Sequence, residues 1–253
     1  MRITLRVIGI GPGNPRQITL EAIDAMAGVD AFLVLDKGAD KQSLAAARRE
    51  ILDRYAPDGH RVIEIVDPPR DRHPADYDAE VRRWHAARAT LFAEALTATV
   101  PDGGVAAFLV WGDPALYDST LRIVEDITTH TDLDIALEVI PGVTSASALT
   151  AAHQILANRI GESIHITTGR RLADTPAGAD TNQIVMLDGD LAFRHTADPA
   201  DHIWWGAYVG TDDEILVAGT VGEVGDTIAE VRAAARQRLG WIMDIYLLRK
   251  AVD

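Results

Sequence analysis

The sequence contains no cysteine among its 253 residues. Disulfide bonds, thiolate metal ligands and a cysteine nucleophile are therefore excluded, and the absence fits a reducing compartment. The eight histidines show no paired spacing typical of metal ligands, so we expect no metal. No apolar run approaches the roughly 20 residues of a membrane span, and the chain opens on a predicted strand instead of a signal peptide. We expect a cytoplasmic protein.

Lysine is also scarce, since 21 of the 24 basic residues are arginine. The net charge of −14 argues against nucleic acid or an anionic membrane as the main partner. The planar guanidinium group suits carboxylates, so clustered arginines could still bind a polyanionic small molecule. The alternative is that the arginine bias merely reflects codon composition.

Short apolar runs alternate with amphipathic stretches in a chain whose hydrophobic fraction of 47% is ample for a core. In the first half, strands predicted at residues 5–10, 31–35, 62–66 and 105–110 alternate with helices. This alternation is typical of a mostly parallel sheet covered on both faces. In the second half, strands are predicted at residues 135–140, 164–168, 183–187, 203–209, 214–220 and 241–248. Because three of these follow one another with only turns between them, the second sheet should be mixed. The predicted fold is α/β with two domains, residues 1–117 and 118–253.

The predicted helices have recognisable starts. Thr19 and Asp40 are placed to cap the first two helices, and Asp118 or Ser119 is placed to cap the one after the fourth strand. A long helix is predicted over residues 76–99, with its arginines, Arg82, Arg83 and Arg88, on a solvated face or at its edge. The proline-rich loop before it, residues 67–74, is a candidate lid.

A glycine loop, Gly9-Ile10-Gly11-Pro12-Gly13, follows the first strand. A dinucleotide-binding fold uses this order of strand, loop and helix, and Asp36 ends the next strand near where a ribose-binding acid belongs. However, Asn14 stands at the position of the third glycine, and prolines delay the helix, so its N-terminus cannot point at a pyrophosphate. A nicotinamide-dependent dehydrogenase is therefore disfavoured.

Two further loops follow strands. Trp111-Gly112-Asp113-Pro114 ends the fourth strand, and Gly112 would let a ligand approach the backbone closely. Residues 141–147, a loop of small and hydroxyl-bearing side chains, follow the fifth. Since open α/β sheets bind ligands at the carboxyl ends of their strands, these loops are candidate binding segments.

Taken in order, Gly-Ile-Gly-Pro-Gly, Gly-Asp-Pro-x-x-Tyr and Pro-Gly-Val-Thr-Ser-Ala resemble the loops of the tetrapyrrole (corrin/porphyrin) methylase family, over nearly the whole chain. The resemblance implies two α/β domains, an S-adenosylmethionine site in the cleft between them, no metal and a homodimer. Finer blocks are similar to members that methylate C1 of precorrin-5 and release acetate in cobalamin biosynthesis. These blocks are residues 34–38, 83–85, 108–114, 158–162, 165–171, 185–189 and 241–246.

The resemblance also implies roles for individual residues. The residues implied for S-adenosylmethionine binding are Gly11, Pro12, the backbone of Trp111, Gly112 and Asp113, Leu116, Thr144, Ser145, Leu187 and Asp188. At Leu187 and Asp188 the chain departs from relatives that carry a methionine before the glycine. Asp36 matches a strand-end acid that is a proposed proton acceptor in some relatives. Three arginines, Arg159, Arg170 and Arg171, are assigned to substrate carboxylates, the alternative being pairs with surface acids.

Removal of an acetyl group needs activated water and a donor for the developing oxyanion. Asp36 is the first candidate for the base, with His165 and Tyr117 as alternatives; a lone histidine on a strand is more often only hydrogen-bonded. Other possibilities stay open at this point. They are methylation of another precorrin carbon, an RNA methylase, which the charge disfavours, and a tetrapyrrole carrier without catalysis.

Overall fold

A computed structural model describes residues 2–36, 42–69, 71 and 76–251, without the side chains of residues 35, 36, 42–47, 77 and 78. The chain forms two units, Met1–Gly11 with Pro15–Val143, and Pro12–Asn14 with Thr144–Asp253. None of the helices in the described ranges has the length and apolar character that crossing a membrane requires.

The first unit is a five-stranded parallel sheet with helices on both faces. Its strands are β1 (Arg2–Gly9), β2 (Ala31–Asp36), β3 (Val62–Val66), β4 (Val105–Val110) and β5 (Asp134–Ile140), and its helices are α1 (Leu20–Met26), α2 (Gln42–Tyr55), α3 (Tyr77–Thr99) and α4 (Thr120–His130). The spatial order of the strands is β3-β2-β4-β1-β5. The prediction of a parallel sheet covered on both faces is confirmed.

The strand order explains how the helices are distributed. The chain moves in one direction from β1 to β3 and back through β4 to β5, and right-handed crossovers then place the two pairs of helices on opposite faces. One core accordingly packs α1 and α2 against the sheet, around Met26, Ile51 and Phe32. The other packs α3 and α4 against the opposite face, around Phe92 and Ile127.

The helix starts follow local side-chain chemistry. The Thr19 hydroxyl accepts a hydrogen bond from the Ala22 amide at 3.0 Å, and the Asp76 carboxylate accepts one from the Ala79 amide, so the first-turn donors of α1 and α3 are satisfied. Asp118 accepts from the Thr120 amide at 2.6 Å ahead of α4, whereas the Ser119 side chain makes no capping bond. The predicted cap Asp40 lies outside the described residues.

Arg88 is not on a solvated face, and that prediction is wrong. Only 4% of the residue is exposed, and its Nε lies 3.0 Å from Asp67 Oδ1 while its guanidinium stacks 4.4 Å above the Trp84 ring. Helical spacing explains the error, because Arg88 is four residues from both Trp84 and buried Phe92 and therefore shares their face. Burial lowers the pKa of the guanidinium, and the Asp67 carboxylate raises it.

The described part of the predicted lid is tied to α3. The Trp84 indole donates to the Pro68 carbonyl at 2.9 Å, Arg83 donates to the Pro69 carbonyl, and the Asp71 amide donates to Glu80. Residues 70 and 72–75 of this loop lie outside the described residues. Together with the Arg88–Asp67 pair, these bonds hold the first residues after β3 against the helix.

The second unit has a mixed sheet, as predicted. Its strands are β6 (His165–Thr168), β7 (Asn182–Met186), β8 (His202–Ala207), β9 (Ile215–Thr220) and β10 (Asp244–Arg249), in the order β6-β7-β10-β8-β9. Only β6 and β7 pair in parallel. The helices are α5 (Ser145–Ala152) on one face and α6 (Phe193–Thr196) and α7 (Val221–Leu239) on the other.

The division between the units differs from the predicted boundary at residues 117 and 118. β5 pairs with β1 along seven residues, from Arg2↔Asp134 to Ile8↔Ile140, so α4 and β5 complete the first sheet. The first unit consequently extends to Val143. A strand's partner is a tertiary property, and the local pattern around residue 117 did not indicate it.

We expect Arg88→Met to lower the free energy of unfolding by about 3 kcal/mol, because it removes one partner of a buried ion pair and leaves the Asp67 carboxylate unpaired. Urea denaturation monitored by circular dichroism measures the change. Arg82→Met is the matched control, since Arg82 is exposed on the same helix and should change stability by less than about 0.5 kcal/mol. Equal losses in the two variants would contradict the role given to the pair.

Candidate active site

Three loops of the first unit meet at the carboxyl edge of its sheet, after β1, β4 and β5. Gly11 and Gly112 form an antiparallel bridge in which the Gly112 amide donates to the Gly11 carbonyl at 2.8 Å and the Gly11 amide donates back at 3.2 Å. The adjacent strands β1 and β4 send their connections to opposite faces of the sheet, which opens a crevice at such an edge. The first two candidate loops are therefore joined through their backbones.

The third loop joins them through Gly142. A Cβ atom added to Gly142 would lie 2.1 Å from the Gly112 carbonyl oxygen, and one added to Gly9 would lie 2.6 Å from the Gly142 nitrogen. Neither position has room for any side chain. Gly9 and Gly142 thus allow the three main chains to approach one another, a role that the sequence analysis did not assign to them.

Asp113 fixes this arrangement with its carboxylate. Oδ2 accepts a hydrogen bond from the Gly142 amide at 2.9 Å, and Oδ1 accepts one from the Ala115 amide at 2.8 Å. Charge-assisted bonds of this kind are stronger than neutral ones. Both oxygens of the Asp113 carboxylate therefore stabilise the loops by accepting backbone hydrogen bonds within the unit.

Gly112 is buried but leaves space beside its Cα atom. Its φ of 70° lies in the left-handed region, and no atom lies within 4 Å of the position of an added Cβ. The loop continues through Leu116, whose amide donates to the Asp113 carbonyl at 3.2 Å, to Tyr117, which has a φ of 52° and is 45% exposed. The structure therefore brings Gly11, Trp111, Gly112, Asp113, Leu116 and Tyr117 together.

The first candidate for the base ends a neighbouring strand. Asp36 is the last residue of β2 and lies opposite Val66 of β3, so its backbone is at this same carboxyl edge. Its side chain lies outside the described residues.

In the second unit, Asp188 is a buried anchor. Only 4% of the residue is exposed, and its carboxylate accepts hydrogen bonds from the Asp190 amide at 3.0 Å, the Ala192 amide at 2.7 Å and the Tyr246 hydroxyl at 2.7 Å. The preceding residue, Leu187, has a φ of 52° and is exposed. The anchor holds the exposed residue Leu187 at the carboxyl end of β7.

A buried charge network supports this turn. Arg232 donates to the Asp188 carbonyl at 2.7 Å and pairs with Asp244 at 2.8 Å, and the Trp205 indole also donates to Asp244. Burial raises the pKa of the Asp244 carboxyl, and burial together with the Asp188 carboxylate raises the pKa of the Tyr246 hydroxyl. No local pattern in the sequence indicated this network, although the block at residues 241–246 contains two of its members, Asp244 and Tyr246.

The predicted substrate arginines separate into two places. Arg170 and Arg171 follow β6 directly after Gly169, where an added Cβ would lie 2.4 Å from the Asp188 carboxyl, so they belong to the same edge as Leu187. Arg170 is exposed without an ion-pair partner among the described residues, and Arg171 is 3.3 Å from Asp174.

Arg159 and His165 belong to the opposite edge of that sheet. Arg159 donates a hydrogen bond to the Lys250 carbonyl at 2.9 Å, and its guanidinium lies 3.7 Å from the Glu162 carboxylate. Two of its nitrogens therefore have partners within the unit. His165 is the first residue of β6, half-buried, at the amino end of the strand. The structure therefore does not group these two residues with Arg170 and Arg171.

The remaining predicted residues lie where the chain enters the second unit. Thr144 caps α5, its hydroxyl accepting from the Ser147 amide at 3.0 Å, and Ser145 is the first residue of that helix. Pro12 is buried within the short segment Pro12–Asn14. Within the described ranges, no group of histidine, aspartate and glutamate side chains is arranged to hold a metal ion.

Comparison with known proteins gives a consistent result. Residues 4–225 match the family model described as Tetrapyrrole (Corrin/Porphyrin) Methylases. The chain is 47% identical to precorrin-6A synthase [deacetylating] from Sinorhizobium sp over an alignment of 248 residues. The alignment covers 98% of this chain and 95% of that protein. It is 27% identical to a precorrin-2 C(20)-methyltransferase from Sinorhizobium sp, over 67% of this chain and 69% of that protein.

Solved structures extend the comparison. A cobalamin synthesis related protein (CobF) from Corynebacterium diphtheriae superposes with a TM-score of 0.88 at 46% identity, covering 98% of this chain and 99% of that one. A uroporphyrin-III C-methyl transferase from Thermus thermophilus, complexed with S-adenyl homocysteine, has a TM-score of 0.59 at 18% identity, covering 97% and 91% of the two chains. That identity is low enough that the second likeness concerns the fold alone.

We expect Gly142→Ala to destabilise the protein and to disturb the loops after β1 and β4, because its methyl group would overlap the Gly112 carbonyl. A forced displacement of backbone typically costs about 1–3 kcal/mol or more. Thermal unfolding measures the loss. Gly189→Ala is the matched control, since no atom lies within 4 Å of its added Cβ. An unchanged melting temperature for Gly142→Ala would show that the three loops are not in close contact.

Proposed function

Because the chain belongs to the tetrapyrrole (corrin/porphyrin) methylases, we propose that it methylates C1 of precorrin-5 with S-adenosylmethionine and releases acetate, forming precorrin-6A in cobalamin biosynthesis. The observation that carries the proposal is the 47% identity to a precorrin-6A synthase [deacetylating] over 98% of the chain. The relative named for methylation at C20 matches at 27% over a shorter part. Methylation of another precorrin carbon is therefore the weaker alternative.

The edge of the first unit suits the methyl donor. Transfer from a sulfonium is an in-line displacement, in which the bond from sulfur to methyl breaks as the bond from methyl to carbon forms. Such a reaction needs alignment and exclusion of water more than a nucleophilic side chain. The amides of Gly11 and Gly112 are bonded to each other's carbonyls, so these two residues can offer only carbonyl oxygens, and the main chain of Trp111 and Asp113 is the remaining source of uncharged groups.

The second unit contributes residues through its own segments. Thr144 and Ser145 follow Gly142 by two and three residues, so covalent continuity keeps them near the third loop. Leu187 is an exposed residue with a left-handed φ, next to the Asp188 anchor. These features support a role for both segments in binding S-adenosylmethionine, with Asp188 acting by holding Leu187.

Loss of the acetyl group needs water to attack its carbonyl carbon and a base to accept the proton from that water. We assign this base to Asp36, which ends β2 at the same edge as the Gly112 loop. Tyr117 is the second choice because it follows Leu116 in that loop. His165 ranks last, since it begins β6 at the amino edge of its sheet.

Substrate carboxylates are assigned to Arg170 and Arg171. Both are exposed at the edge that carries Leu187, and a guanidinium binds a carboxylate through two parallel hydrogen bonds. Arg159 stays the weakest of the three predicted arginines because its nitrogens already have partners in Lys250 and Glu162.

The homodimer implied by the resemblance is part of the proposal. On the face of the second sheet that packs against α5, apolar side chains are exposed on and beside the sheet. They are Leu156, Ile160, Ile164, Ile166 and Leu216. A second copy of the chain would bury this surface.

The cytoplasmic location remains a proposal based on the absence of cysteine.

Mass spectrometry of precorrin-5 incubated with the protein and S-adenosylmethionine tests the function. We expect a product that has gained one methyl group and lost the acetyl group, together with free acetate. Gain of methyl without loss of acetyl would indicate methylation at another carbon. Binding of the tetrapyrrole with neither change would indicate a carrier, and S-adenosylmethionine omitted from the mixture is the control.

We expect the double variant Arg170→Ala, Arg171→Ala to raise the KM for precorrin-5 by about tenfold or more, equivalent to about 1.4 kcal/mol, while the affinity for S-adenosylhomocysteine stays unchanged. Steady-state kinetics and calorimetry measure the two quantities. Arg194→Ala is the control, because Arg194 is an exposed arginine that pairs with Asp226 at 2.6 Å. Parallel loss of both affinities would point to damage of the fold around Asp188.

A further inference from the structure

Buried polar atoms without partners are concentrated on one side of the first unit. Among the described residues, four such side-chain atoms remain once the Arg88–Asp67 ion pair is set aside, and three of them are Gln17 Oε1, Arg48 Nε and Trp111 Nε1. Buried polar groups in native proteins are almost always hydrogen-bonded, so each exception needs an explanation such as a ligand.

The three residues belong to one layer. Trp111 and Ile18, the neighbour of Gln17, pack against the core between the sheet and helices α1 and α2, which also contains Ile51 and Leu52. Arg48 is three and four residues before these last two, so it lies on the same face of α2, toward the helix N-terminus.

That direction leads to the carboxyl edge of the sheet. Because α2 connects the parallel strands β2 and β3, it runs against them and begins at the edge where β2 ends. The carboxylate of Asp118, in the loop after β4, is near enough to raise the pKa of the Arg48 guanidinium. Gln17 contacts the same edge, since its carbonyl oxygen would lie 3.1 Å from a Cβ on Gly11.

Arg48 is half-buried, and its Nε atom is buried without a partner among the described residues. Burial lowers the pKa of its guanidinium, and Asp118 raises it only in part. Asp118 itself accepts from the Thr120 amide at 2.6 Å, and Arg48 has no ion pair with it or with another acid among the described residues. A buried donor without a partner lowers the stability of a folded protein, and proteins keep such groups where function requires them.

We propose that Arg48 and Trp111 form a subsite for a ligand carboxylate at the carboxyl edge of the first sheet. The guanidinium donates two hydrogen bonds to the carboxylate and the Trp111 indole donates a third, while Gln17 Oε1 accepts from an N–H of the same ligand. The inference rests on the proposed function for its ligand, a carboxylate of the tetrapyrrole. The amino-acid carboxylate of S-adenosylmethionine has the same chemistry and is the other source.

Arg48→Met tests the subsite, because methionine fills space without charge. We expect the KM for precorrin-5 to rise about tenfold or more, the dissociation constant of S-adenosylhomocysteine to stay unchanged, and the melting temperature of the free protein not to fall. A merely structural arginine would give the opposite pattern, a lower melting temperature with unchanged binding, and that result would overturn the proposal. Arg49→Met is the matched control, since Arg49 is the exposed neighbour on the same helix.

Calorimetry distinguishes the two sources of carboxylate. If Arg48→Met weakens S-adenosylhomocysteine but leaves 5′-methylthioadenosine, which lacks the amino-acid group, unchanged, the subsite holds the methyl donor. If Arg48→Met fails to fold, Arg48→Lys keeps the charge and removes the bidentate geometry, and an unchanged KM and unchanged affinities in that variant would overturn the proposal. Turnover by the unmodified protein tests the function separately, because calorimetry reads the subsite even where precorrin-5 does not react.

Discussion

The close approach of three main chains at the carboxyl edge of the first sheet is the constraint on which the candidate site depends. Gly9, Gly112 and Gly142 come so near one another that neither Gly9 nor Gly142 has space for a side chain, and the Asp113 carboxylate ties the Gly142 amide to the Gly112 loop. Because the loops after β1, β4 and β5 are held at one place, the space beside the Cα atom of Gly112 is fixed before any ligand binds. Preorganised, uncharged main chain is what alignment of a methyl donor requires.

The second unit uses buried charge for a similar purpose. Asp188 has three hydrogen-bond donors on its carboxylate and Arg232 on its carbonyl, so the left-handed turn at Leu187 is determined by the core beneath it. Arg48 in the first unit shows the contrast. It is half-buried, its Nε has no partner among the described residues, and burial lowers the pKa of its guanidinium while the Asp118 carboxylate raises it. The satisfied charges of Asp188 and Arg232 therefore stabilise the framework, whereas the unpartnered Nε of Arg48 is the feature from which we propose a ligand subsite.

Much of the fold could be predicted because its signals are local. The cap at Thr19, the long helix from about residue 76, the strand at Val62–Val66 and the alternation that implies a parallel sheet all depend on residues near one another in the chain. The three loop motifs likewise located the segments around Gly11, Gly112 and Thr144. Local reasoning was wrong for Arg88, whose partners Trp84 and Asp67 show that an arginine on a helix can face the core. It also separated α4 and β5 from the sheet that they complete.

The sequence alone determined the family, the α/β class, the order of the binding loops and the exclusion of cysteine chemistry, because composition and motif spacing are properties of the chain itself. Only the tertiary structure decided which glycines approach one another, that Asp113 and Asp188 are anchors for backbone, and that Arg159 and His165 lie at the other edge from Arg170. Such facts depend on pairs of residues far apart in sequence, as Tyr246 and Asp188 are, and their contact exists only after the strands have paired.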